Sequence, residues 1–147
     1  MAAREASDHL ADAQLAGLAE RLVGLVAEAR GDHEAARTAL ERSVGLADDD
    51  ADPTAAIAAR TALGLTLAGG GSPDEALVSM QAALDGARWI GDRHLEAAVE
   101  NHFADLLHDA GREDESMEHL KRAVALFAEV GEGTPEPEPG IWTLAAW

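Results

Sequence analysis

Cysteine is absent from the 147 residues, which removes any disulfide framework and any thiolate chemistry and leaves a reducing cytosol open. Tyrosine is absent too, and with only two Phe and three Trp the core has to be aliphatic and closely packed. Ala is the commonest residue, so the composition suits helices and suits a sheet poorly. Positive charge is scarce: eleven Lys and Arg face 28 Asp and Glu, a formal net charge of −17. Such a chain repels a phosphate backbone and an anionic leaflet, so neither nucleic acid nor a membrane surface is an expected partner. No apolar run reaches the roughly 18 residues of a membrane span, and MAAREASDHL carries Arg4, Glu5 and Asp8 where a secretory leader needs an apolar core. The expected location is the cytoplasm. Lysine is nearly missing as well, with Lys121 alone against ten Arg, a bias that together with Ala and Gly matches a GC-rich bacterial genome.

Catalytic motifs are equally thin. The glycines at 69–71 lack the Lys of a phosphate loop, and no G-x-S-x-G elbow occurs. HEAAR at His33 misses the H-E-x-x-H zinc pattern because Arg37 stands at the second ligand position. Asp48, Asp50 and Asp52 imitate the start of a calcium loop, but Pro53 replaces its required Gly and Ala59 its closing Glu, which leaves an acidic linker. His94, His102, His108 and His119 fall beside Asp105, Asp109 and Glu115, yet their spacing aims them in different directions, and hydrogen-bonded or solvated histidines account for them better than a metal. No cofactor, metal or catalytic residue is expected.

What the chain does have is repetition. Residues 71–92, GSPDEALVSMQAALDGARWIGD, read as a helix with both ends marked. Ser72 and Glu75 offer a capping box, Pro73 suits the first position and Gly91 a left-handed stop. Between them Ala76, Leu77, Met80, Ala83, Leu84 and Ala87 follow a helical period. A shift of 40 residues in either direction finds the pattern again: Gly31, Gly71 and Gly111 superpose, as do Leu40, Met80 and Leu120. A constant period in this range marks a repeat array. Six helices are predicted, over about 8–30, 32–46, 53–68, 72–90, 92–110 and 112–130, paired into three antiparallel hairpins that turn at Gly31, Gly71 and Gly111. Small residues recur seven positions before each turn glycine (Gly24, Gly64, Ala104) and five after it (Ala36, Ala76, Ser116), where the two helices of a hairpin must cross closely.

These features resemble the tetratricopeptide repeat, through Val23-Gly24, Gly31-Asp32, Ala36 and Leu40, then Leu63-Gly64, Gly71, Ala76 and Met80, then Phe103-Ala104, Gly111, Ser116 and Leu120. The match covers about residues 17–131. The period of 40 exceeds the usual ~34 and looks like an extended bacterial variant whose second helix ends in an apolar-Gly-acidic step, here Ile90-Gly91-Asp92 and Val130-Gly131-Glu132. The usual tryptophan place holds Glu20, Arg60 and Glu100. The resemblance implies an all-α solenoid, a repeat domain over 8–131 with repeats at about 8–50, 53–91 and 92–131, and a tail at 132–147. It also implies a concave groove lined by the first helix of each hairpin. That face carries Arg21, Leu25 and Glu28, then Thr61, Leu65 and Ala68, then Asn101, Asp105 and His108. Its apolar floor and acidic end suit an extended or helical peptide with apolar anchors and basic residues towards the last repeat. Clamping of a partner's terminal carboxylate is disfavoured, since Ala62, Ala98 and His102 supply no cation or amide.

In the tail, Pro135, Pro137 and Pro139 alternate with acids and favour extended chain, and IWTLAAW follows. Ile141, Trp142, Leu144 and Trp147 form a docking segment for the last helix, for a neighbouring subunit to give a homodimer, or for another protein; the need of an array for a cap favours the first. Trp89 is expected to pack against the next hairpin. The sequence thus points to a non-catalytic protein-interaction scaffold acting on another protein or peptide. The alternative is a regulatory sensor in which the groove takes a small ligand or signalling peptide and the tail is a displaceable plug.

Overall fold

The computed structural model describes residues 2–47 and 51–133. Among these are six helices and no strand: α1 (Ala2–Ala29), α2 (His33–Leu46), α3 (Pro53–Gly69), α4 (Pro73–Ile90), α5 (Arg93–Asp109) and α6 (Glu113–Gly133). None is long and apolar enough to cross a membrane. The tail residues Ile141, Trp142, Leu144 and Trp147, with Asp48 and Asp50 of the acidic linker, lie outside the described residues.

Acidic side chains start three of the helices. Asp32, Asp52 and Asp92 each accept from the backbone N–H three residues on, at 3.1, 3.1 and 2.9 Å, which satisfies a donor that the helix itself cannot. Ser72 departs from expectation. It occupies the cap position of α4, but its hydroxyl makes no capping bond, and Glu75 turns away to accept from Arg37 Nη2 of α2 at 2.8 Å. The expected capping box is replaced by an ion pair between hairpins.

The three turns are built alike. Gly31, Gly71 and Gly111 have φ of 76, 85 and 73°, a left-handed backbone that costs a side-chain-bearing residue strain. The next residue in each case donates back into the preceding helix: Asp32 to Ala27, Ser72 to Leu67 and Arg112 to Leu107, at 2.8–3.0 Å. Gly91 is also left-handed, at φ 72°, and ends α4. Gly131 is not, and α6 runs on to Gly133, so the expected helix end at about 130 and the second apolar-Gly-acidic stop are corrected. Asp92 follows Gly91 and caps α5, whereas Glu132, a poor cap, follows Gly131.

The small residues sit where the helices of each hairpin cross. A Cβ placed on Gly24 would stand 2.6 Å from Leu40 Cγ and 3.3 Å from the Ala36 carbonyl oxygen; one on Gly64 would meet the Ala76 carbonyl and Met80 Cε, both at 3.2 Å. In the third hairpin the hydroxyl of buried Ser116 donates to the Ala104 carbonyl at 2.8 Å. That bond lets a polar residue hold a place that Ala fills elsewhere.

Each helix packs on its successor, and α1 also meets α3 as α3 meets α5. Among the described residues the backbones of α2 and α4, and of α4 and α6, do not approach as closely. The largest apolar cluster joins Ile57 and Leu67 of α3 to Met80, Ala83, Leu84 and Ala87 of α4 and Val99, Phe103, Leu106 and Leu107 of α5. Trp89 is not part of it. The ring is 72% exposed and lines a shallow hollow with Pro53, Ile57 and Arg60 of α3, on the opposite side from the one expected, because its position follows the buried stripe Leu84–Ala87 by half a turn.

Ala76 is fully buried at its crossing. Replacing it by Leu is expected to overpack the crossing and to lower unfolding free energy by about 1–3 kcal/mol in urea titration.

Candidate functional site

An apolar concavity lies between α1 and α3, where the first part of α1 overhangs the start of α3. It encloses about 560 Å³ and is walled mostly by apolar and small side chains: Leu15, Gly17 and Leu18 of α1, Leu46 and Ala47 at the end of α2, Ala55 and Ala58 of α3. Gln14, Arg21, Ser43, Asp52 and Thr54 are its polar residues. Two of these are already engaged, since the Ser43 hydroxyl donates to the Gly17 carbonyl at 2.8 Å and the Asp52 carboxylate caps α3. Among its lining residues Gly17 and Ala58 carry little or no side chain, and Gly17 lies against Leu46 and Ser43 of α2.

Of the nine groove-face residues expected from sequence, Arg21 alone lines this cavity. The others lie further along the same rows of α1, α3 and α5, and they do not converge. Leu25 and Leu65 expose their side chains. The Glu28 carboxylate pairs with His33 Nδ1 at 3.1 Å, and the Thr61 hydroxyl donates to the Ile57 carbonyl at 2.9 Å, so both are spent locally. Asn101 is half-buried, Asp105 is exposed, and exposed His108 places Nδ1 3.1 Å from Glu113 Oε2. Gln14, Leu18, Thr54 and Ala58 were missed. They continue the rows of Arg21 and Thr61 one to two turns towards the helix starts, and the signal that would have found them is the length of α1, 28 residues against 17 for α3.

A second polar cluster is built on a buried carboxylate. Glu100, at 0% exposure, accepts from Arg88 Nη2 at 2.6 Å through one oxygen and meets His119 Nδ1 at 2.5 Å through the other, while the His119 ring stacks on Phe103 with centroids 4.2 Å apart. Arg88 Nε also donates to Glu96, at 3.1 Å, and Arg93 joins Glu96 at 3.2 Å. Both Glu100 oxygens are therefore engaged, one by Arg88 of α4 and the other by His119 of α6, and the cluster fastens three helices. His94 meets Phe127 edge-on at 5.8 Å, so His94, His108 and His119 each have separate protein partners.

His108 is held above the ordinary histidine value, first by its hydrogen bond to Glu113 and then by that carboxylate's charge. A raised value means that the contact stabilises the fold fully below the unfolded histidine's value and loses its effect as pH rises through the folded one. In a histidine NMR titration, Glu113→Gln is expected to move the His108 midpoint down while leaving the other histidines in place.

Compared with protein-family models and with curated protein sequences, the chain matches neither.

Proposed function

We propose that the chain is a non-catalytic interaction module of the tetratricopeptide kind, a short α-solenoid of three hairpins whose odd-numbered helices line a concave peptide-binding face. The observation that carries this is the apolar cavity of about 560 Å³ between α1 and α3, a size typical of binding clefts, with Arg21 at its wall. It supports a partner segment, extended or helical, that seats one bulky apolar side chain between Leu18 and Ala58 and sets an acidic group against Arg21. Leu25 and Leu65 continue the apolar floor, and Asp105 at the far end favours a basic residue.

The test is selection of displayed peptides on the wild-type chain, followed by affinity measurement. Ala58→Trp, which fills the cavity, and Arg21→Glu are each expected to weaken the selected peptides at least tenfold with the helical circular dichroism unchanged. Equal binding to all three proteins would remove the cavity from the reading.

The sensor alternative is favoured by one further observation. Because α6 runs antiparallel to α5, Gly133 lies at the same end of the hairpins as Arg93 and Pro53, and Asp52 and Thr54 beside Pro53 wall the cavity. Residues 134–140, if extended at about 3.1 Å each, reach some 22 Å, roughly two helix spacings of about 10 Å. Residues 141–147 are thus long enough in reach to plug the cavity in the same molecule. A plug of that kind predicts that Trp142→Ser with Trp147→Ser raises the affinity of a selected peptide severalfold; unchanged affinity would show the cavity to be open already.

A further inference from the structure

Positions related by the 40-residue repeat differ in burial in a way that identifies what each end of the array lacks. In α5, Val99, Phe103 and Leu106 are buried, and 40 residues earlier in α3 so are Ala59 and Thr66, with Leu63 half-buried. A further 40 residues back, on α1, Ala19 is exposed, Val23 is 57% exposed and Val26 is 51% exposed. The second and third hairpins each pack on the hairpin before them, and among the described residues α1 has no such neighbour. The other end mirrors this. Met80, Leu84 and Ala87 of α4 are fully buried, while Leu120, Val124 and Phe127 of α6, their equivalents, are exposed, Val124 by 60% and Phe127 by 41%. Among the described residues α6 packs on α5 alone.

We infer that these two faces are the halves of one junction and that a second copy of this chain fills it, α6 of one molecule stacking on α1 of the next. The junction is already made twice within the chain, where α2 meets α3 and α4 meets α5. The polar pairs that span those internal boundaries support the match. Arg88 of α4 reaches Glu96 of α5, and Arg37 of α2 reaches Glu75 of α4. At the end junction the equivalent partners are Ala128 with Ala16 and Met117 with Ala35. In both of these pairs the two sides change from charged to apolar together, and Glu20, which stands where Glu100 meets Arg88, faces Ala128 but has Arg42 of its own hairpin at 3.9 Å.

A contact between two different faces of the same chain does not close in a pair; it leaves one of each face free and continues as a stack or a ring. Each added copy also brings a formal charge of −17, so association strengthens as salt screens that repulsion.

Sedimentation velocity of the full chain across concentration, at low and at about 0.5 M salt, reads this out. The expected result is a ladder of species that grows with both variables. Val23→Glu and Val124→Glu are each expected to weaken self-association at least tenfold, and mixing the two is expected to restore a dimer that grows no further, because each variant keeps the face the other has lost. Since the chain has no cysteine, Val23→Cys and Val124→Cys give a second measurement: oxidation of the mixture should yield a crosslink between the two variants, above the homodisulfide of either alone. A full chain that stays monomeric under all conditions overturns the inference, and if Trp142→Asp then permits association, residues 141–147 are the occupant of the α6 face instead. A dimer lost with Val23→Glu but kept with Val124→Glu also overturns it, in favour of α1 packing on α1.

Discussion

The close crossing inside each hairpin is the constraint on which the rest of the structure depends. Gly24 under Leu40, Gly64 against the Ala76 backbone and Ala104 bonded to Ser116 bring the helices of each pair together at one level, 40 residues apart each time. With the level fixed, the apolar residues before and after each crossing stand at set heights. Met80 and Leu84 then face Val99, Phe103 and Leu106 in a single cluster, and the hairpins lie one on another. A chain with few rings has to obtain its burial this way, by approach of backbones rather than by size of side chains.

The helices, the three turns and the crossings were legible in the sequence because they depend on local chemistry repeated three times. Glycine where φ must be positive, aspartate where an N–H needs an acceptor and small residues at a contact leave marks that survive without knowledge of the fold. Ser72 and Glu75 were misjudged for the opposite reason. A capping box is a local motif, and Arg37, 38 residues away, competed for Glu75 more strongly than the Ser72 backbone did. Gly131 failed as a stop because a glycine ends a helix only when the residues after it have somewhere better to go.

The candidate site was only partly legible. Arg21 follows from the repeat, since the row it sits on is defined by period. The cavity beside it follows from the overhang of α1 across α3, which does not depend on a pattern within one helix. Glu100 is the sharper case. Its place was noted as unusual, but a carboxylate on a helical face reads as solvated until Arg88 and His119 are seen to close over it from two other helices.

That buried carboxylate divides the molecule unevenly. Glu100 is held by Arg88 of α4 and His119 of α6, so α4, α5 and α6 cannot part without leaving a buried carboxylate without its partners, and they open as one cooperative unit. The first hairpin is joined to the second by apolar side chains and by the exposed Arg37–Glu75 pair, which cost far less to separate. The cavity at the α1 and α3 boundary therefore sits on the looser seam of the protein. A modest sway of α1 and α2 as a body changes its width, while the three fastened helices give the rest of the molecule a fixed frame.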